Sequence, residues 1–80
     1  MKISVLGCGR WGTFIAWYLN KINHDVILWG RESSENIISL KNFHHNNFLS
    51  LNEKVQITSD IEFALNFSNV IIISISAQSF

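Results

Sequence analysis

Three glycines near the amino terminus have the spacing that a phosphate-binding turn requires. Gly7, Gly9 and Gly12 form the pattern G-x-G-x-x-G. In such a turn the first glycine permits a tight bend, the second lets a pyrophosphate approach the backbone, and the third lets a helix pack closely on a strand. A helix that begins here directs N–H groups and the positive end of its dipole toward an anion. The motif predicts binding of a dinucleotide pyrophosphate.

The neighbouring sequence supplies the context that this motif needs. The apolar segment Lys2–Leu6 predicts a buried strand before the glycines, and a stripe of apolar residues predicts a helix over residues 12–22. Val26–Trp29 predicts a second buried strand. Together they form a βαβ unit, in which the glycine pattern is specific. A glycine turn without a ligand is the alternative, although packing alone rarely needs three glycines at this spacing.

The rest of the chain continues the alternation of strands and helices. The predicted elements are a helix capped by Ser33 or Ser34 and reaching about Lys41, a polar loop over 42–52, a strand over Val55–Thr58, a helix opened by a capping box over Ser59–Glu62 and reaching about Phe67, and a strand over Val70–Ile75. The strands are apolar on both faces, which is typical of a parallel sheet covered by helices on each side. We therefore expect an α/β chain with a Rossmann-type, doubly wound parallel sheet. Residues 1–80 would be its first portion, with a substrate domain beyond them.

The end of the second strand bears on the choice of dinucleotide. Folds that bind NAD usually place an Asp or Glu about 20 residues after the glycines, where it accepts hydrogen bonds from the ribose 2′-OH. Here the strand is followed by Gly30-Arg31-Glu32, with no acid directly at its tip. Gly30 is expected to leave room, and the Arg31 guanidinium suits a 2′-phosphate, unless it is only a solvated turn residue. The sequence favours NADP(H), and Glu32 keeps NAD(H) possible.

Composition excludes several classes of partner. The chain of 80 residues is 48% hydrophobic, and its six Lys and Arg residues balance six Asp and Glu residues. Zero net charge argues against nucleic acid or an anionic membrane, because both require clustered positive charge. The apolar run after Lys2 is interrupted at Arg10, so it is too short for a signal peptide or a membrane span, and we expect a cytoplasmic protein.

Cysteine and histidine residues give no further site. The single cysteine, Cys8, cannot form an internal disulfide, and between two glycines it is expected to be a small residue fitted under the turn. His44 and His45 are adjacent, but no cluster of other ligand residues accompanies them. We predict a solvated loop there and no metal site.

The residues resemble a known family, the NAD(P)-dependent glycerol-3-phosphate dehydrogenases of bacteria, over the whole chain. The segments that carry the resemblance are residues 2–7, Gly9-x-Trp11-Gly12-Thr13, residues 26–31, Phe48-Leu49, residues 57–60 and residues 70–75, followed by Gln78 and Phe80. The tryptophan inside the glycine motif is the most specific of these matches. Trp-Gly-Arg at the end of the second strand is the next.

This resemblance implies an enzyme that interconverts dihydroxyacetone phosphate and sn-glycerol 3-phosphate for glycerophospholipid synthesis. Hydride would pass between the nicotinamide and the substrate carbonyl, with a lysine assisting. The family's members are cytoplasmic and often dimeric, and they have a helical C-terminal substrate domain. None of the lysines in this chain matches the catalytic ones, so we expect no catalytic residue here and binding of the dinucleotide at most.

The resemblance also adds site residues to the glycines and Arg31. Trp11 is expected beside the cofactor, with a core position at the helix start as the alternative. Phe48 would close the adenine or nicotinamide side, or else anchor its loop. Arg10 stands where the family has a small residue, and its guanidinium would contact a phosphate or point to solvent. Ser76 begins a segment that departs from the family's usual Pro-Ser.

Other functions start from the same glycine motif. One is another NADP-dependent reductase, such as a ketopantoate-reductase-like or phosphogluconate-dehydrogenase-like protein, against which Trp11 and Phe48 argue. A second is a regulatory module that senses NAD(P), like those gating potassium transporters. Such modules usually carry an acid at the second strand tip, so Gly30-Arg31 disfavours that reading. A third is a gene fragment without a function of its own.

Overall fold

Strands and helices alternate along the chain, as the sequence predicts. The computed structural model describes residues 1–45 and 50–74. Within them the elements are β1 (Lys2–Leu6), α1 (Arg10–Lys21), β2 (Asp25–Trp29), α2 (Glu35–Phe43), β3 (Gln56–Thr58), α3 (Ile61–Phe67) and β4 (Val70–Ile73). No helix in these described ranges is long and apolar enough to span a membrane.

The strands are parallel and lie in the order β3-β2-β1-β4. In the central strand β1, Leu6 pairs with Trp29 of β2 on one side and with Ile73 of β4 on the other. The chain first adds β2 and β3 on one side of β1 and then crosses to place β4 on the other side. This reversal confirms the doubly wound α/β prediction. In such sheets ligands bind at the carboxyl ends of the strands where the order reverses.

Helices cover both faces of the sheet. On one face the strands pack against α1 and α2, in a core that includes Val5, Ala16, Val26, Leu28, Ile37 and Leu40. On the other face Leu6 and Ile27 pack against Ala64 of α3. Ser4 is fully buried on this second face, and its hydroxyl donates a 2.6 Å hydrogen bond to the Ala64 carbonyl. Burial on both faces explains why β1 and β2 show no regular polar alternation, whereas β3 and β4 are more exposed.

Two helices have ends that differ from the predicted ones. Helix α1 begins at Arg10 rather than residue 12, because the Gly9 carbonyl already accepts the Thr13 N–H at 2.9 Å. Helix α2 continues past Lys41 to Phe43 and ends at His44, which has a left-handed backbone with φ of 57°. The prediction of a solvated loop at His44 is wrong, since its half-buried ring lies 3.1 Å from the Val55 carbonyl oxygen through Nε2.

The start of α3 also differs from the prediction. Asp60, not Ser59, is the N-cap, and its carboxylate accepts the N–H groups of Glu62 at 3.0 Å and Phe63 at 3.2 Å. Ser59 instead accepts a hydrogen bond from the Lys41 ammonium at 2.6 Å. Both residue types are good caps, so the sequence alone did not separate them.

Candidate dinucleotide-binding site

The glycine turn leaves β1 at the carboxyl edge of the sheet. Gly7 has a φ of 122°, a backbone conformation that residues with a side chain rarely adopt. Its N–H donates a 2.8 Å hydrogen bond to the carbonyl of Trp29, which continues the ladder between β1 and β2 by one step. Gly7 therefore makes the bend that the motif predicts, at the point where the strand ends.

Gly12 is enclosed by the same turn. A Cβ at this buried position would overlap the Gly7 carbonyl oxygen and lie 2.8 Å from its carbon. The close packing that the motif predicts is thus a contact between two glycines, with the first turn of α1 resting directly on the backbone of Gly7. No side chain fits at residue 12 unless the turn moves.

Gly9 lies in the opposite kind of environment. It is exposed, it precedes α1 with φ of −75° and ψ of −163°, and an added Cβ would meet no atom within 4 Å in the described part of the chain. Residues 1–45 and 50–74 thus give no steric reason for a glycine at this position. The open approach to its backbone fits the predicted contact with a pyrophosphate.

The first turn of α1 presents a positive end to this open space. It contains no acidic residue, and Arg10 is its first residue. Partial positive charge at a helix start, together with a cationic side chain, favours an anionic ligand. Trp11 is 69% exposed, and its ring meets Phe14 edge-on with 6.4 Å between the centroids. The alternative of a core position for Trp11 is therefore wrong.

The tip of β2 packs against the inner side of the turn. Gly30 is buried, and its N–H donates to the Thr58 carbonyl at 3.1 Å. A Cβ at residue 30 would overlap the Cys8 Sγ and lie 3.1 Å from Cδ1 of Ile37. The expectation that Gly30 leaves room is wrong, because the Cys8 side chain fills that space. With Cys8 in place, no acidic side chain fits at residue 30.

Cys8 joins three elements at this edge. Its side chain is 7% exposed, and its Sγ lies 3.5 Å from the hydroxyl of Ser34, the N-cap of α2. The thiol thus holds the glycine turn against the tip of β2 and the start of α2. The prediction of a small residue fitted under the turn is confirmed. Its contact with Gly30 was missed, because it depends on the register of β1 and β2.

The residues that follow β2 remain exposed. Arg31 and Glu32 lie directly after the buried Gly30, and the Arg31 carbonyl accepts the Ser34 N–H at 2.9 Å in the turn into α2. Arg31 thus directly follows Gly30, the residue that contacts Cys8 of the glycine turn. Its role toward a 2′-phosphate stays a prediction.

The end of β4 borders the other side of the turn. The Ser74 N–H donates a 2.8 Å hydrogen bond to the Leu6 carbonyl, and the Ser74 Cβ lies 3.6 Å from where a Cβ of Gly12 would be. The turn is therefore set between the ends of β2 and β4, where the strand order reverses. Sequence reasoning placed Ser74 inside a strand and did not assign it to the site.

The structure brings most of the predicted site residues to one edge of the sheet. Those at the carboxyl edge are Gly7, Gly9, Arg10, Trp11, Gly12 and Arg31. Phe48 and Ser76 lie outside the described residues. In the described ranges, no group of three or more His, Cys, Asp or Glu side chains is placed to hold a metal ion.

Comparison with known proteins gives one consistent family. The family model described as "NAD-dependent glycerol-3-phosphate dehydrogenase N-terminus" matches residues 2–80. A glycerol-3-phosphate dehydrogenase [NAD(P)+] of Thermoanaerobacter sp. (strain X514) is 36% identical over 83 residues, covering 99% of this chain and 24% of the relative. The enzyme of that name from Streptococcus uberis is 39% identical over 75 residues, covering 89% of this chain and 22% of the relative.

A solved structure agrees with these relatives. The crystal structure of glycerol-3-phosphate dehydrogenase from Coxiella burnetii superposes with a TM-score of 0.79 at 29% identity, covering 90% of this chain and 23% of that one. The chain therefore spans about a quarter of the length of the proteins that it matches.

Proposed function

The chain belongs to the family of NAD-dependent glycerol-3-phosphate dehydrogenase N-termini, and on that premise we propose that it is the dinucleotide-binding portion of such an enzyme. The reaction proposed is the interconversion of dihydroxyacetone phosphate and sn-glycerol 3-phosphate. The observation that carries the proposal is the glycine turn at the strand-order reversal, closed at Gly12 and open at Gly9. Among the described residues, this arrangement encloses the turn at Gly12 and leaves its backbone accessible to a ligand at Gly9.

In this proposal the chain binds and orients the cofactor. When bound, the dinucleotide supplies or accepts the hydride at its nicotinamide ring. The backbone around Gly9 receives the pyrophosphate, and the start of α1 offsets its negative charge. Trp11, exposed at the same helix start, is available to contact the cofactor.

The residues that complete catalysis are proposed to lie elsewhere in the enzyme. The assisting lysine and the substrate domain would be in the part of the relatives' length that this chain does not match. A cytoplasmic location, a homodimer and a role in glycerophospholipid synthesis belong to the same proposal, and they rest on the family resemblance.

The reaction is tested by following NADPH oxidation at 340 nm in the enzyme that carries this chain. Dihydroxyacetone phosphate is expected to support turnover, and dihydroxyacetone without its phosphate is the matched control substrate. Binding of NADPH without turnover on the phosphate would favour a sensing module and contradict the proposed reaction. Turnover only on an unrelated keto acid would favour another reductase.

A preference for NADP(H) over NAD(H) is the finer part of the proposal. Two features support it: the enclosed Gly30, which accepts no acidic side chain, and the exposed Arg31 directly after it. An acid at the strand tip would repel a 2′-phosphate, whereas a guanidinium pairs with one.

Arg31→Ala tests this preference. We expect NADPH to bind more tightly than NADH in the unmodified protein, and Arg31→Ala to weaken NADPH binding roughly tenfold while NADH binding changes little. Calorimetric titration with both dinucleotides measures the difference. The control is Lys54→Ala, which removes an exposed cation just before β3, at the amino edge of the sheet. Equal affinities for the two dinucleotides in the unmodified protein would refute the preference.

A further inference from the structure

Thr13 holds the glycine turn through two different groups. Its side chain lies in the second turn of α1 and is fully buried. Its backbone N–H donates to the Gly9 carbonyl at 2.9 Å, and its hydroxyl donates to the Cys8 carbonyl at 3.1 Å. One residue therefore fixes two consecutive carbonyl groups of the turn.

The hydroxyl bond differs from the usual bond of a helical threonine. A Ser or Thr inside a helix normally bonds back to a carbonyl three or four residues earlier, within the same helix. The Thr13 hydroxyl reaches five residues back, to Cys8, which precedes the N-cap. The bond thus ties the helix to the turn that the dinucleotide is proposed to contact.

Fixing a carbonyl also fixes the N–H of the same peptide group. A trans peptide is planar, and its C=O and N–H point in opposite directions. The Cys8 carbonyl points toward the buried Thr13, so the N–H of Gly9 points away from the helix interior. In the same way, the bonded Gly9 carbonyl directs the N–H of Arg10 toward the amino end of α1. Unpaired N–H groups at the start of a helix are available to bind an anion.

We propose that Thr13 is a positioning residue that sets the peptide planes of the glycine turn for the pyrophosphate. It does not touch the dinucleotide in this proposal, and acts through the peptides of Cys8 and Gly9. A turn already held in the binding conformation pays less ordering cost when the ligand arrives, which raises affinity. The proposal rests on the dinucleotide-binding function proposed above.

Deleting the hydroxyl tests this role. We expect Thr13→Val, which keeps the branched shape, to weaken NADPH binding by roughly three- to tenfold. Thr13→Ser keeps the hydroxyl, and its affinity for NADPH is expected to lie within about twofold of that of the unmodified protein. If the valine variant does not fold, Thr13→Ala removes the same hydroxyl with a smaller side chain. Calorimetric titration with NADPH and with ADP measures the effect, since ADP carries the diphosphate without the nicotinamide.

A matched control separates positioning from stability. Ser4 is also fully buried, and its hydroxyl also donates to a backbone carbonyl, that of Ala64, on the opposite face of β1 from α1. Ser4→Ala should lower the unfolding midpoint in urea without changing the affinity for NADPH or ADP. If Ser4→Ala weakens binding as much as Thr13→Val, the effect is one of stability and the positioning role is refuted.

The remaining outcomes also decide the matter. Unchanged binding in both Thr13→Val and Thr13→Ala would overturn the proposal, as would a serine variant no better than the valine one. Absence of NADPH and NADH binding in the unmodified protein would refute the proposed function itself, and the role of Thr13 with it. Normal dinucleotide binding with unaffected Thr13 variants would leave the proposed function intact and refute only the positioning role.

Discussion

The inner and outer sides of the glycine turn use glycine for opposite reasons. On the inner side, other atoms of the protein occupy the space that a side chain would need: the Gly7 backbone at Gly12, and the Cys8 side chain at Gly30. On the outer side Gly9 faces a space that no atom of residues 1–45 or 50–74 enters within 4 Å. A glycine that packing does not require is informative about ligands, whereas an enclosed glycine informs about the fold. Substitutions at the three positions should therefore affect different measurements.

Gly12→Ala should have the largest effect on stability. The new Cβ would collide with the backbone of Gly7, which cannot yield as a flexible side chain can. We expect a loss of about 3 kcal/mol in the free energy of unfolding, measured by urea denaturation. The sign of this change in the free energy of unfolding is decisive. Alanine is a better helix former than glycine by about 1 kcal/mol, so it would stabilise α1 if the space at residue 12 were open. A more stable variant would contradict the enclosed inner side.

Gly30→Ala should destabilise the protein less, and Cys8 should determine by how much. The collision at residue 30 is with a side chain, which can shift partly, so we expect a loss of about 2 kcal/mol in the free energy of unfolding. In the double variant that carries Gly30→Ala and Cys8→Gly, the loss in the free energy of unfolding should be about 1 kcal/mol smaller than the sum of the two single losses. A double-mutant cycle followed by urea denaturation measures this coupling. Strictly additive effects would show that the two residues do not share the space.

Gly9→Ala should have the smallest effect on stability and still impair binding. Its backbone lies in an extended conformation that alanine adopts, so we expect a loss of less than about 1 kcal/mol, mainly from the poorer N-cap. The new methyl group occupies the approach to the backbone, and NADPH affinity should fall roughly tenfold. Calorimetric titration beside urea denaturation gives both values. Unchanged affinity would place the pyrophosphate somewhere other than Gly9.

The order of the elements was predictable because β1, β2 and β4 are rich in apolar residues, whereas the short β3 (Gln56–Thr58) contains a single one, Ile57. Burial on both faces removes the polar alternation of a half-exposed strand, and the glycine motif then marks the first strand–helix junction. The ends of the helices were less predictable, since they depend on competing local bonds. At α3 the Thr58 hydroxyl accepts the N–H of Asp60 at 3.0 Å, which helps Asp60 rather than Ser59 to cap the helix.

The candidate site was predictable only where its chemistry is local in sequence. Gly7, Gly9 and Gly12 could be assigned from spacing alone, and the exposed position of Trp11 agrees with the family resemblance. The contact of Cys8 with Gly30 could not be predicted, because it requires the strand register and the direction of a side chain. The two hydrogen bonds of Thr13 could not be predicted for the same reason, since a threonine in an apolar helix usually indicates only packing.

The central position of β1 has a consequence for how the chain acquires its structure. β1 is synthesised before the other strands described here, yet one of its partners is β4, so its second ladder, in which Ile3 pairs with Val70, can form only after β4 has been made. Until then, one side of the most buried strand has unpaired backbone groups, and such edges invite association with other chains. Closing contacts between residues so distant in sequence is also slow. The cofactor edge, which needs the ends of both β1 and β4, would therefore be among the last parts of the described chain to form during synthesis.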